Sequence, residues 1–137
     1  MVVRQVTGDI FTASQKHIAF AINKEGENYS GFACAVAKLI WPDLMHLGGK
    51  LGDVHSHKRG QKTYHALVCH SMIGRKGWKD SPKYVRECLN KIRVPEDEEI
   101  AIVLIGSGPV GRSQGANVDA ILAAMHKSSK RLVVFML

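Results

Sequence analysis

The segment His17-Ile18-Ala19-Phe20-Ala21-Ile22 is almost wholly apolar, and it decides the fold. A strand with one face in water alternates apolar and polar residues, so an unbroken apolar run predicts a strand that is covered on both faces. A second run, Ile100 to Ile105, has the same character. Both segments are typical of parallel strands in a sheet that has helices on each side.

Further helices and strands are predicted on either side of these two runs. Apolar residues recur at helical spacing in Gly31 to Trp41, Ser81 to Ile92 and Ala116 to Lys127. Four more strands are predicted at Val2 to Val6, Gly52 to His57, Thr63 to Cys69 and Leu132 to Leu137, the middle two as a hairpin. This order predicts a single α/β domain over residues 1–137, with three α/β/α layers and a mixed, mostly parallel sheet of about six strands.

Helix boundaries follow from local residue chemistry. Pro42 cannot continue the first helix. Ser81 followed by Pro82 predicts that the serine is the N-cap of the second helix and that the proline takes its first helical position. Gly106 to Gly115 contains four glycines and is predicted to be a loop that leads to the third helix.

Composition limits the class of protein. The 137 residues are 45% hydrophobic and 23% charged, which is the profile of a soluble globular domain. The apolar runs are too short to cross a bilayer, and we expect neither a signal peptide nor a membrane partner. Nineteen Lys and Arg against 12 Asp and Glu give a net charge of +7, which favours an anionic partner or serves as a solubility margin.

The cysteines indicate the redox compartment. Cys34, Cys69 and Cys88 are odd in number, widely spaced and set among apolar neighbours. They are therefore predicted to be reduced core residues of a protein in the cytoplasm or the nucleus.

Polar or glycine-containing segments follow three of the predicted strands. They are Gly8-Asp9-Ile10, Asn23 to Gly31 and Gly106 to Gly115. Ligands of α/β sheets bind beyond the carboxyl ends of the strands, so these segments are predicted to meet around one crevice. Asp9 has two interpretations, a cap of a short turn or an acceptor for an exocyclic amine such as that of adenine.

The segment Gly106-Ser107-Gly108-Pro109-Val110-Gly111 matches the pattern G-x-G-x-x-G. Glycines let backbone N–H groups approach a phosphate closely. A Rossmann dinucleotide site fits poorly, because that fingerprint opens a helix at once and the next strand ends in an acid. The sequence therefore favours a phosphate-binding loop on another α/β fold, with a plain strand-to-helix connection as the alternative.

Five short segments, taken in order, resemble a macrodomain. They are Val6-Thr7-Gly8-Asp9-Ile10-Phe11, Ala21-Ile22-Asn23, Gly31-Phe32-Ala33, Leu104-Ile105-Gly106-Ser107-Gly108 and Val133-Val134-Phe135-Met136-Leu137. The resemblance runs through essentially the whole chain, and its specificity lies in the order and spacing of the segments. Within the family it is most similar to the compact branch that includes the terminal ADP-ribose protein glycohydrolase and the ADP-ribose 1″-phosphate phosphatase.

The resemblance implies that one cleft binds ADP-ribose. Asp9 would bond the adenine amine with the Ile10 backbone beside it, and Phe135 would pack near the adenine ring. The distal ribose and the pyrophosphate would be lined by Asn23, by the turn Gly31-Phe32-Ala33 and by Gly106 to Gly111. No cofactor is implied.

The chain departs from the family where catalysis is concerned. The deacylating branch uses a lysine after the strand that here ends at Cys69, and this chain has His70-Ser71. That branch also uses an aspartate in the late glycine loop, where this chain has Pro109-Val110-Gly111-Arg112. Covalent catalysis by that route therefore lacks its parts. His70 is the candidate general base, and the alternative is a histidine at the surface or one satisfied by its neighbours.

The histidines and the basic clusters point to two other classes of site. His55, His57, His65 and His70 invite a metal hypothesis, but no Cys pair or carboxylate completes a set of four ligands, so no metal is predicted. The basic clusters favour RNA or single-stranded DNA as an alternative partner, and they span His55 to Lys62, Arg75 to Lys79 and Lys127 to Arg131.

The predicted function is the binding of ADP-ribose or of an ADP-ribosyl group on protein or nucleic acid, as a reader or as a hydrolase. One alternative is an enzyme that removes ADP-ribose from an acceptor or phosphate from ADP-ribose 1″-phosphate. The other is a basic nucleic-acid-binding protein.

Overall fold

A computed structural model describes residues 1–73 and 75–136 of the chain. Six strands form one sheet in the order β1-β6-β5-β2-β4-β3. All neighbours are parallel except β3, which runs antiparallel to β4 at the edge. The mixed, mostly parallel sheet of the sequence prediction is therefore confirmed. The strands are β1 (Val2–Thr7), β2 (His17–Asn23), β3 (Val54–Arg59), β4 (Lys62–His70), β5 (Glu99–Val103) and β6 (Arg131–Met136).

Helices cover both faces of this sheet. They are α1 (Gly31–Leu39), α2 (Ser81–Lys91), α3 (Pro109–Ser113) and α4 (Val118–His126). Phe20 of β2 packs edge-on against Phe32 of α1, with ring centroids 5.4 Å apart. Phe20 pairs with Ala66 of β4, so these two side chains share one face of the sheet. Cys69 is three residues further along β4, and its side chain therefore lies on the opposite face. On that face Cys88 of α2 is near Cys69.

The core is continuous through the central strands. Ile18 and Phe20 of β2 and Ile100 and Ile102 of β5 are fully buried, as the apolar runs predict. The three cysteines are free thiols and are buried. In the described residues, no helix is long and apolar enough to cross a membrane.

Two predicted boundaries are wrong. Ser81 is the first residue of α2 rather than its N-cap, Asp80 takes the cap position, and the buried Ser81 Oγ has no partner in the described part of the chain. The predicted loop Gly106 to Gly115 contains the short helix α3, because Pro109 at the first helical position already has a helical φ.

Most other elements lie within one or two residues of their predicted ends. The third predicted helix begins two residues late, at Val118, because the Asn117 side chain accepts a hydrogen bond from the Ala120 amide and so caps it. The predicted last strand extends to Leu137, which lies outside the described residues.

Candidate functional site

A cavity of about 150 Å³ lies at the carboxyl ends of β5, β2 and β4. This is the edge at which parallel strands end and at which ligands of such sheets bind. Eleven sequence-predicted site residues line the cavity: Asn23, Gly31, Phe32, Ala33, His70, Gly106, Ser107, Gly108, Pro109, Val110 and Gly111. Two of the three segments expected to meet around one crevice therefore do so.

The third segment does not line this cavity. Asp9 is exposed, and its carboxylate accepts a hydrogen bond from the Phe11 amide, which caps a 3-10 turn. Ile10 is fully buried in the core, and Phe135 is buried within β6. The Phe11 ring lies 4.9 Å from the Phe32 ring, so this turn reaches the start of α1. Asp9 and Ile10 follow β1, and Phe135 lies near the end of β6. These positions are further along the same edge of the sheet.

Asn23 fixes the backbone of the loop that follows β2. Its Oδ1 accepts from the Glu27 amide at 2.9 Å, and its Nδ2 donates to the Glu27 carbonyl at 2.9 Å. Asn23 is only 3% exposed. We call this two-bond contact the Asn23–Glu27 clasp, and it holds Glu27 on the cavity wall.

Asn28 anchors the same loop to the segment after α1. Its Nδ2 donates to the carbonyls of Leu44 and Leu47, and its Oδ1 accepts from the Asn23 amide. Because Asn28 is 4% exposed, water cannot replace these bonds. These bonds fix the loop that follows β2 in place on one side of the cavity.

The glycine segment forms the opposite side. A Cβ at Gly111 would lie 2.3 Å from the Gly106 carbonyl oxygen, so the two ends of the segment touch through backbone atoms. A Cβ at Gly108 would meet nothing within 4 Å. The amides of Val110 and Gly111 lie in the first turn of α3 and have no acceptor within that helix. They are the backbone donors that this segment can offer to an anion.

His70 and Trp78 form one wall of the cavity. Their rings stack with centroids 3.9 Å apart and planes inclined by 12°. Both residues are buried, and within the described chain neither His70 Nδ1 nor Trp78 Nε1 has a hydrogen-bond partner. Burial lowers the pKa of His70 to about 4, so the imidazole is neutral at pH 7. The predicted general base is thus a neutral ring on the cavity wall.

Glu25 joins the loops that follow β2 and β4. Its carboxylate accepts from the Ser71 hydroxyl at 2.5 Å and from the Met72 amide at 2.8 Å. These bonds lower the pKa of the Glu25 carboxyl, although its desolvation acts in the opposite direction. The two bonds from Ser71 and Met72 to Glu25 fix the chain next to His70. Glu25 itself does not line the cavity.

Sequence reasoning missed several lining residues, among them Glu27, Tyr29, Met72 and Trp78. Glu27 and Tyr29 lie within the segment Asn23 to Gly31, so its predicted place at the crevice could have identified them. In the sequence, Trp78 stands out only as an aromatic residue within a basic cluster. Its contact with His70 depends on the 3-10 turn Arg75–Trp78, which has no clear sequence signal.

Three of the four histidines considered for a metal site, His55, His57 and His65, contact other groups of the protein. His55 Nε2 lies 2.8 Å from the Gly48 carbonyl, and His57 stacks on Trp41. His65 Nε2 lies 2.9 Å from His17 Nδ1, and His65 Nδ1 lies 2.7 Å from Ser56 Oγ. Over residues 1–73 and 75–136, no group of three or more potential ligands could hold a metal ion.

The basic cluster at the β3–β4 hairpin is partly used inside the protein. Arg59 donates to the Ile40 carbonyl, and Lys62 donates to the carbonyls of Ala13 and Gln15. These two cations hold loops at the amino ends of the strands, on the side of the sheet away from the cavity. They are less available to a nucleic-acid partner than the sequence suggests.

Comparison with known proteins identifies the fold. No protein-family model and no curated protein matches the sequence. Solved structures do match at low identity. A protein of unknown function from Bacteroides thetaiotaomicron has a TM-score of 0.74 and 16% identity over 100% of this chain and 98% of its own. A macrodomain protein from Streptomyces coelicolor has a TM-score of 0.71 and 15% identity, and the match covers 98% of each chain.

A Trypanosoma brucei macrodomain solved in complex with ADP has a TM-score of 0.59 and 16% identity, over 97% of this chain and 62% of that one. At these identities the likeness establishes the fold, and the chain has the macrodomain fold. The sequence resemblance to macrodomains is thus confirmed at the level of fold. Its narrower similarity to the compact branch stays a prediction.

Proposed function

Since the chain has the macrodomain fold, we propose that it binds ADP-ribose, or an ADP-ribosyl group on a larger molecule, at the carboxyl ends of its parallel strands. The macrodomain fold in Trypanosoma brucei was solved with ADP, which is the nucleotide part of this ligand. The cavity of this chain lies at the edge where α/β sheets bind ligands. Binding alone would make the protein a reader of ADP-ribosyl groups.

The glycine segment is the observation that carries the proposal. Gly111 packs so closely on Gly106 that any side chain there would collide with backbone. Gly108 leaves open space where a side chain would stand, and the cavity is lined by Val110 and Gly111, whose amides have no acceptor within α3. Such amides suit the oxygens of a diphosphate, which are strong acceptors. The net charge of +7 attracts the same anion over longer distances.

Strand order gives the ligand a direction. Neighbouring strands are about 4.8 Å apart, so the edge from β1 to β4 spans roughly 19 Å. Asp9 follows β1 at one end, the glycine segment follows β5 in the middle, and Asn23 and His70 end β2 and β4. An extended nucleotide would place adenine near Asp9 and Phe135, the diphosphate at the glycines and the distal ribose beside His70.

We further propose that the protein works in a reducing compartment, the cytoplasm or the nucleus. Its three cysteines are free and buried. A chain with three unpaired thiols suits a compartment that keeps them reduced.

Calorimetric titration with ADP-ribose tests the binding proposal. We expect a saturable heat, and weaker binding for Asp9→Asn, because the new amide offers a donor where the adenine amine needs an acceptor. Asparagine retains the Oδ1 that caps Phe11, so the local turn persists. Asp97→Asn, in the exposed turn before β5, is the matched control. A folded protein that shows no heat at near-millimolar ADP-ribose would reject the proposal.

A further inference from the structure

We propose that Ser56 of β3 is the nucleophile of a second reactive site, which hydrolyses esters of small carboxylic acids. The other members of this Ser56 site are His65, His17 and Glu98. None of the four residues lines the cavity at the carboxyl ends of the strands. The inference therefore stands apart from ADP-ribose binding.

The strand register brings the Ser56 site together on one face of the sheet. Ala66 of β4 shares the α1 face with Phe20, so its neighbour His65 points to the opposite face. Ser56 is directly across from His65 on β3. His17 of β2 lies diagonally across from His65 on the same face. Three side chains from three adjacent strands are thus next to each other.

A continuous row of polar contacts joins these side chains. Ser56 Oγ lies 2.7 Å from His65 Nδ1, and His65 Nε2 lies 2.9 Å from His17 Nδ1. His17 Nε2 lies 3.7 Å from a carboxylate oxygen of Glu98. Burial lowers the pKa of His65 to about 4, so its ring has a single N–H at pH 7. With that N–H at Nε2, donating to His17, Nδ1 accepts the hydroxyl proton of Ser56.

This row has the parts that activate a serine. A serine hydroxyl is a weak nucleophile until an adjacent base takes its proton, and the base must be oriented by a third group. His65 is the base, His17 orients it, and the Glu98 carboxylate offsets the positive charge that the two rings gain. Ser56 is exposed whereas His65 is only 5% exposed. A substrate can therefore reach the hydroxyl while little water reaches the base.

The Ser56 backbone adds a hydrogen-bond donor beside the hydroxyl. The Val68 amide donates to the Asp53 carbonyl at 2.9 Å, which makes these two a hydrogen-bonded pair of the hairpin. Such pairs alternate along an antiparallel ladder, so Ser56 and His65 form a non-hydrogen-bonded pair. Because β3 is an edge strand, the Ser56 N–H points outward from the sheet. It can donate to the oxygen that becomes negative when an ester carbonyl is attacked.

The open edge also defines the substrate class. An exposed strand offers little surface to hold a large acyl group, and one backbone donor stabilises an oxyanion less than two donors would. The substrates are therefore esters of small acids whose alcohol leaves readily, such as phenyl esters.

The reaction consumes only the ester and water. Ser56 Oγ forms a bond to the ester carbonyl carbon, and its proton passes to His65 Nδ1. The bond from that carbon to the alcohol oxygen breaks, and the alcohol leaves with the electron pair and the proton from His65. Water then attacks the acyl carbon and gives a proton to His65. The bond to Oγ breaks, and the proton returns to Ser56.

Covalent labelling of the full chain tests the nucleophile. A fluorophosphonate forms a bond to activated serines and releases fluoride, and the labelled residue is identified by peptide mass mapping. We expect the label on Ser56 of the wild-type protein. His65→Gln should lower the labelling rate by about 100-fold or more, because the base is lost. Label that reaches Ser56 no faster than the exposed Ser129, or an undiminished rate in folded His65→Gln, would overturn the proposal.

Turnover is measured with 4-nitrophenyl acetate. We expect Ser56→Ala to lower the release of 4-nitrophenol by about tenfold or more, whereas Ser129→Ala should keep the wild-type rate. Ser56 is exposed, so its alanine variant should fold, and thermal melting checks each variant. Equal rates for the wild-type protein and Ser56→Ala would overturn the hydrolytic assignment even if His65→Gln did not fold.

Discussion

The imidazole of His70 lies flat on the indole of Trp78, with ring centroids 3.9 Å apart. The two residues are separated by a short turn in the sequence, and both line the cavity. The stack therefore forms part of the cavity wall. This places one of the two tryptophans of the chain at the proposed site.

Trp78 should report ligand binding through its fluorescence. We expect ADP-ribose to change the tryptophan emission of the wild-type protein, because the ligand would enter the cavity beside the indole. Trp78→Phe should abolish this change. Trp41→Phe should retain it, because Trp41 stacks on His57 and does not line the cavity. A change that survives in Trp78→Phe and disappears in Trp41→Phe would contradict the placement.

Two glycines of the same segment should respond differently to alanine. Gly111→Ala places a Cβ 2.3 Å from a backbone oxygen, so we expect a loss of about 1–3 kcal/mol in the free energy of unfolding. Gly108→Ala meets no neighbour, and its effect on stability should stay within about 0.5 kcal/mol. Its new methyl group would nevertheless face the cavity and weaken ADP-ribose binding.

Urea denaturation and calorimetry separate the two effects. Equal stability losses in both variants would show that the close approach of Gly111 to Gly106 does not exclude a side chain at position 111. Unchanged ADP-ribose affinity in Gly108→Ala would show that the ligand does not touch this surface.

Asn28 should be a large contributor to stability for a polar residue. Asn28→Ala removes one donor from each of the Leu44 and Leu47 carbonyls and the acceptor of the buried Asn23 amide, so we expect a loss of about 2–4 kcal/mol. Asn90→Ala, on the exposed side of α2, should change stability by less than about 0.5 kcal/mol. Chemical denaturation of both variants gives the comparison, and similar losses would refute the anchoring role.

Stability should rise with pH between about pH 5 and 6. Burial lowers the pKa of both His65 and His70 from 6.5 to about 4, and at His65 the neighbouring His17 contributes to this lowering. In this window the unfolded chain holds protons on these histidines and the folded chain does not. The two protons give a slope of about 2.7 kcal/mol per pH unit, and the stability is lost as the pH falls toward 4.

His65→Gln should reduce this slope by about half, because one of the two protons no longer takes part. His126→Gln, at the exposed end of α4, should leave the slope unchanged. Urea denaturation at several pH values supplies the measurement. A His65→Gln protein with the wild-type slope would show that His65 does not titrate differently in the two states.

Sequence patterns were enough to predict the sheet, because each central strand is a short apolar run. The run ending at Ile22 and the run beginning at Ile100 are such strands, and both are buried as expected. Helix α3 was missed because Pro109–Ser113 contains a glycine and too few apolar residues to show a helical period. The helix also brings Gly111 against the Gly106 carbonyl, a close backbone contact that the residue pattern does not reveal.

The site was only partly predictable for a similar reason. The strand-end rule correctly brought Asn23 and the glycine segment to one cavity. The rule could not show that Asp9 lies outside this cavity, because it places strand ends along one edge of the sheet without specifying which of them share a cavity. Nor could it show that the Asn23 amide would be occupied by the Glu27 backbone, since the sequence does not specify which polar groups pair.

The Asn23–Glu27 clasp has a consequence for the kinetics of association. Residues 23–28 are held by hydrogen bonds within the protein itself, so little conformational entropy is lost when a ligand binds. Encounter with such a preorganised surface requires no slow rearrangement. Differences in affinity among related guests should therefore appear chiefly in their residence times.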